Sequence, residues 1–244
     1  MERWRDDRVE PDSRNNATQG MLSEILVYLR LGFEHITDVG GYDHLLFVAA
    51  LTASDLGRFR RLFWLVTAFT VGHSITLVLA TLDLVRVSTS LVEVLIPLTI
   101  LVASAVNAYS WSVRSSSSAD SDADPGTGDG VAGDTLVGDA DQGIEAETHV
   151  RYLIAVGFGL IHGLGFSTFL RAALGWEESI FLPLLSFNIG LEIGQLAIVA
   201  ALSLLAFVFI RGLRMKRRAW VLGVSAITGG MAFVLLMQRI QLLI

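Results

Sequence analysis

Four of the five histidines, His35, His44, His73 and His162, fall inside apolar stretches, and Asp43, Glu93, Asn188, Glu192 and Gln195 lie within or at the rim of the same stretches. An ionisable side chain at the centre of a membrane helix costs about 2.5–3.5 kcal/mol on insertion scales, so such residues mark ion paths, proton relays or paired networks. The chain has no cysteine. Imidazole nitrogen and carboxylate oxygen without any thiolate suit borderline divalent ions such as Ni²⁺, Co²⁺, Zn²⁺ or Mn²⁺ better than Cu⁺. The absence of cysteine also excludes disulfide frameworks and cysteine nucleophiles. Spacing groups the polar residues by face. Asn188, Glu192 and Gln195 form one helical stripe, with Gly190 and Gly194 admitting a neighbouring helix. Thr70, His73 and Thr76 share a face in the same way, and Gly157, Gly159, Gly163 and Gly165 clear space around His162.

The elements that carry these residues must be membrane helices. With 244 residues, 52% hydrophobic and 17% charged, the composition excludes an ordinary soluble domain. Apolar runs Arg61–Leu82, Ser90–Val113, Val150–Leu174, Ile180–Arg211 and Ala219–Leu243 each exceed the ~20 helical residues that cross a hydrocarbon core about 30 Å thick. Met21–Ala53 is interrupted by Glu24, Arg30, Glu34, His35, Asp38, Asp43 and His44, and Gly40-Gly41 breaks it. Irregular backbone at membrane depth survives only where protein or a water-filled cavity covers it, so this element faces inward and counts as one crossing. The expected fold is all-α, a polytopic transmembrane bundle of six crossings, or seven if Met21–Ala53 divides in two.

Residues 1–20 read as a disordered polar tail, 21–113 as a first transmembrane half, 114–149 as an acidic disordered linker and 150–244 as a second half. Between Ser115 and His149 stand nine acidic residues and no Lys or Arg, which leaves 15 acidic against 18 basic residues elsewhere. The net charge of −6 is therefore an acidic linker plus a mildly basic body, a pattern that argues against nucleic-acid binding. The basic loops Arg58-Phe59-Arg60-Arg61 and Arg211 to Arg218 belong in the cytoplasm of a multi-pass plasma-membrane protein, and six crossings put the linker there too.

Under that topology His73 and His162 are central, Asn188 and Glu192 lie in the outer half to middle of their crossing, and Glu93 is close to the outer surface. His35, Asp43 and His44 flank the glycine break near the outer entrance. The expected path for a divalent ion starts at His35, Asp43 and His44 and passes Glu93. It ends at a midplane site of His73, His162 and Glu192, with Asn188 and Gln195 behind the ligands. The ion is cargo, and no prosthetic group is called for.

In order along the chain, Gly-Phe-Glu-His-Ile (32–36), Gly-Tyr-Asp-His-Leu-Leu-Phe (41–47), Phe-Thr-Val-Gly-His-Ser-Ile-Thr-Leu (69–77), Val-Glu-Val-Leu-Ile (92–96), Gly-Leu-Ile-His-Gly-Leu-Gly-Phe (159–166) and Phe-Asn-Ile-Gly-Leu-Glu-Ile-Gly-Gln (187–195) resemble the HupE/UreJ family of membrane proteins. The resemblance implies a nickel or cobalt permease, or an accessory protein of hydrogenase and urease maturation. It implies metal handling by His35, Asp43 and His44, and points to His73, Glu93, His162, Asn188 and Glu192 in the later motifs. Seven residues, Ile36 to Tyr42, separate His35 from Asp43 where the family pattern has five, so the Gly40-Gly41 break must absorb the excess if His35 and His44 are to share a site.

Two other functions use the same ligand chemistry. An intramembrane zinc hydrolase would hold Zn²⁺ with three histidines and an acid to activate water. A non-transporting maturation protein would use the acidic linker to bind a cytosolic partner. The expected partners are the lipid bilayer, the divalent ion and a cytosolic metallochaperone or metalloenzyme.

Overall fold

The computed structural model describes residues 13–55, 57–120, 149–166, 170 and 180–242. Among them are seven α-helices and no strand. They are α1 (Ser13–Thr37), α2 (Tyr42–Thr52), α3 (Phe59–Thr81), α4 (Thr89–Asp120), α5 (His149–Phe166), α6 (Phe181–Phe207) and α7 (Arg217–Gln241). A π-turn, Val208–Gly212, extends α6. Five of these are long and apolar enough to cross a membrane: α3, α4 over Thr89–Trp111, α5, α6 with its π-turn, and α7. Neither α1 nor α2 is by itself such a helix, and α2 is too short at 11 residues.

The break expected at Gly40-Gly41 has a definite form. After Thr37 the chain leaves the helix at Asp38, whose extended backbone lets its carboxylate accept the Gly40 N–H at 2.8 Å and start a single 3₁₀ turn, Val39–Gly41. Two glycines in a row oppose α-helix by about 1 kcal/mol each relative to alanine, so a capped turn wins here. Two other boundaries differ from expectation. Ser13–Gly20 belongs to α1 and Ser115–Asp120 to α4, because neither segment holds a proline, and glycine occurs only at position 20. The rest of the expected linker, 121–148, the tail before residue 13 and the turn Gly175–Ser179 lie outside the described residues.

Glycine contacts set the helix pairs that frame the interior. A Cβ on Gly32 would run into the Phe187 carbonyl, and one on Gly190 into the Leu29 carbonyl, so α1 and α6 touch backbone to backbone. Gly72, Gly159 and Gly163 do the same for α3 and α5 through the carbonyls of Val156, Phe69 and His73. Gly159 and Gly163 are four apart, as are Gly190 and Gly194, the small-xxx-small spacing that lets membrane helices approach closely. Gly157 clears nothing, since no atom lies within 4 Å of its would-be Cβ, and Gly165 faces Val92 and Ile96. On the other flank α4 and α7 run antiparallel, joined by the Ser104–Thr228 hydroxyl pair at 2.8 Å and by Arg239–Glu93 at 3.2 Å. The core between these pairs is built from Phe47, Phe69, Phe187, Leu65, Leu77 and Leu191, all buried.

Candidate metal site

α1, α2, α3 and α5 each deliver one histidine to a common interior cluster. The 3₁₀ turn sets α2 back beside the end of α1, so the His35 and His44 ring centroids stand 4.7 Å apart and the longer spacing between them is absorbed. His44 lies 5.1 Å from His162, and His35 lies 6.2 Å from His73. His44, His73 and His162 are buried, His73 completely. What sequence reasoning treats as an entrance group and a midplane group is therefore one cluster.

Aromatic rings box it in. Phe166 lies 3.8 Å from His35 with its ring tilted, Phe47 and Phe69 lie 5.3 and 5.4 Å from His162, and Phe187 lies 6.4 Å from His73, all between ring centroids. In the sequence these phenylalanines look like ordinary core. One signal was available: Phe69 precedes His73 by four residues, a single helical turn on the same face.

The polar atoms of the cluster are almost unmatched. His162 Nδ1 lies 2.9 Å from the Phe158 carbonyl oxygen. That oxygen can only accept, so Nδ1 carries the proton and Nε2 presents a bare lone pair to the cluster. His162 Nε2, His35 Nε2 and both ring nitrogens of His44 and His73 are buried with no hydrogen-bond partner. A buried polar atom left so costs about 1–3 kcal/mol, and four helices contribute to the expense at one place. The adjacent anion is Asp43. Its Oδ1 accepts the His44 backbone N–H at 3.1 Å and stands 3.3 Å from His44 Nδ1, near but not aligned for a hydrogen bond. Among the described residues no three His, Asp or Glu side chains are posed to hold one ion together. The imidazoles meet in pairs, and the donor set of nitrogen lone pairs beside one carboxylate suits a borderline divalent cation.

The remaining candidates lie outside the cluster. Glu192 Oε1 accepts from Thr67 Oγ1 at 2.7 Å, and Gln195 Oε1 accepts from Thr70 Oγ1 at 2.9 Å, so both tie α6 to α3. Asn188 donates to the Leu184 carbonyl at 2.8 Å and leaves its Oδ1 buried and unpartnered. Glu93 pairs with Arg239 in a cleft of about 170 Å³ whose wall also includes Gly41, Tyr42, Asp43 and Pro97. Asp43 is therefore shared: it faces the cleft on one side and His44 on the other.

Sequence reasoning misses a second buried polar group at the opposite end of α2. Asp55, 3% exposed, accepts from Arg151 Nη1 at 3.0 Å and from Arg61 Nη1 at 3.2 Å. Arg151 also donates to Asn107 Oδ1 at 3.3 Å, and Asn107 donates to the Ala50 carbonyl. Arg217 reaches the Ser54 carbonyl at 3.0 Å.

Membrane-length helices packed on glycine around a buried histidine cluster define the class, a helical bundle of the integral-membrane type. The chain matches the family model described as HupE / UreJ protein over residues 12–119 and 135–239 and belongs to the HupE/UreJ family. No curated protein and no solved structure matches it.

Proposed function

We propose that this protein is a permease for a divalent transition metal ion, nickel or cobalt, supplying metalloenzymes such as hydrogenase or urease. The observation that carries the reading is the set of buried, unpartnered imidazole nitrogens that α1, α2, α3 and α5 bring together in an apolar, aromatic-lined interior. Structural histidines between membrane helices find partners; these keep their lone pairs available.

In this reading α1, the 3₁₀ turn and α2 together make one crossing of six. The arginine-rich end, with Arg58, Arg60, Arg61, Arg211 and Arg217, faces the cytoplasm of the plasma membrane, as does the acidic linker, where a metallochaperone or metalloenzyme would dock. The Glu93 cleft then opens outward. An ion enters beside Glu93, reaches Asp43, and passes to His44, which stands between His162 and His35, with His73 next to His35. Carboxylates supply counter-charge and imidazoles supply selectivity. Glu192 and Gln195 position α3 against α6, while Asn188 bonds back to the Leu184 carbonyl of its own helix. The membrane potential, negative inside, drives the ion inward. Pairwise contacts favour passage over the hydrolase alternative, because a catalytic zinc takes three protein ligands on one ion and no three are so posed among the described residues.

The test is cellular accumulation of ⁶³Ni²⁺ by the wild type and by His44→Ala, His73→Ala and Glu192→Gln. The two histidine variants should lose most uptake and Glu192→Gln should lose part of it. Uptake equal to wild type in all three would remove the mechanism. Uptake should also weaken on acidification, since a proton and a metal ion compete for the same lone pair.

A further inference from the structure

Arg239 stands where a cation path would least be expected to carry a cation. It belongs to the last turn of α7, and its Nη1 lies 3.2 Å from Glu93 Oε2, each side chain 42% exposed. Asp43 lines the same cleft. The cleft thus holds two carboxylates and one guanidinium, with Asp43 leading to the histidines.

An ion that takes Glu93 Oε2 competes for it with Arg239. Exchange of one unit charge for another at a carboxylate brings no Coulomb gain, so Na⁺ or K⁺ has no advantage over the guanidinium already there. A dication doubles the attraction at the same separation. Tethering keeps the local concentration of the guanidinium at the mouth fixed, and its departure leaves Glu93 available to the dication beside Asp43. We infer that Arg239 is a tethered competitor cation that makes the outer cleft select divalent over monovalent ions. This rests on the permease reading and assigns its first discrimination step to a residue outside the histidine cluster.

The experiment is equilibrium binding of ⁶³Ni²⁺ to the purified full-length protein, titrated in parallel with KCl and with tetramethylammonium chloride, which screens equally but coordinates carboxylate poorly. At about 150 mM salt the wild type and Arg239→Lys should show the two salts weakening nickel binding to within about twofold of each other, whereas in Arg239→Gln KCl should weaken it about tenfold more than tetramethylammonium. Elution as a single species on gel filtration establishes that each variant is folded. Identical behaviour of the two salts in a folded, nickel-binding Arg239→Gln overturns the inference and leaves the permease reading intact. A wild type that binds no ⁶³Ni²⁺ overturns both.

Discussion

The two ends of α2 hold two buried polar clusters of opposite character. At its C-terminal end, Asp55, Arg151, Asn107, Ser54 and Arg61 match donor to acceptor across α3, α4, α5 and the loop after α2. At its N-terminal end, four imidazoles meet with most of their nitrogens unmatched. The separation is only about 16 Å along an 11-residue helix. Both clusters put costly groups in a low-dielectric interior, so burial alone does not distinguish a structural polar residue from a functional one. Completeness of pairing separates these two clusters. The arginine cluster ties α3, α4, α5 and the loop after α2 together through matched donors and acceptors, whereas the histidine cluster is lined by phenylalanine rings and most of its nitrogens stay unmatched.

Mutations should separate the two. The largest effect is expected at the closed cluster. Asp55→Ala leaves Arg151 buried without its carboxylate, which should destabilise the fold by about 3–5 kcal/mol, read as a lower thermal unfolding temperature and reduced recovery from detergent. Next comes the scaffold. Gly32→Ala drives a methyl into the Phe187 carbonyl and should cost about 1–3 kcal/mol by forcing α1 and α6 apart, seen in the same unfolding assay with partial loss of uptake. The smallest stability effect, and the sharpest contrast, is expected at the open cluster. His73→Phe replaces two unpartnered nitrogens with a slightly larger aromatic ring at a fully buried position, so the gain and the crowding should offset to within about 1 kcal/mol while ⁶³Ni²⁺ uptake is abolished. A destabilisation of His73→Phe as large as that of Asp55→Ala would erase the distinction between the clusters.

What could be read beforehand follows the same line. The helix runs, the break at Gly40-Gly41 and the histidines are legible because apolar length and an ionisable residue within it are local signals. Asp55, Arg151 and Arg239 are not, because each lies near the end of an apolar run, where charged residues ordinarily meet water. Their partners stand far away in the chain: Arg151 is 96 residues from Asp55 and Arg239 is 146 from Glu93. The split of the histidines into an entrance and a midplane group fails for a related reason. Counting residues from helix ends gives depth along a straight helix, but the 3₁₀ turn at Val39–Gly41 resets the register of His44 against His35. Glu192 is recognisable as a costly intramembrane acid, yet its partner Thr67 is an unremarkable residue on another helix.

If the proposed permease carries its ion through the open cluster, that ion sits among imidazole nitrogens. Nickel K-edge X-ray absorption on the purified, nickel-loaded protein tests it most directly. The account predicts outer-shell scattering from at least two imidazoles, reduced in His44→Ala. A shell of oxygen neighbours alone, unchanged between wild type and His44→Ala, would contradict it.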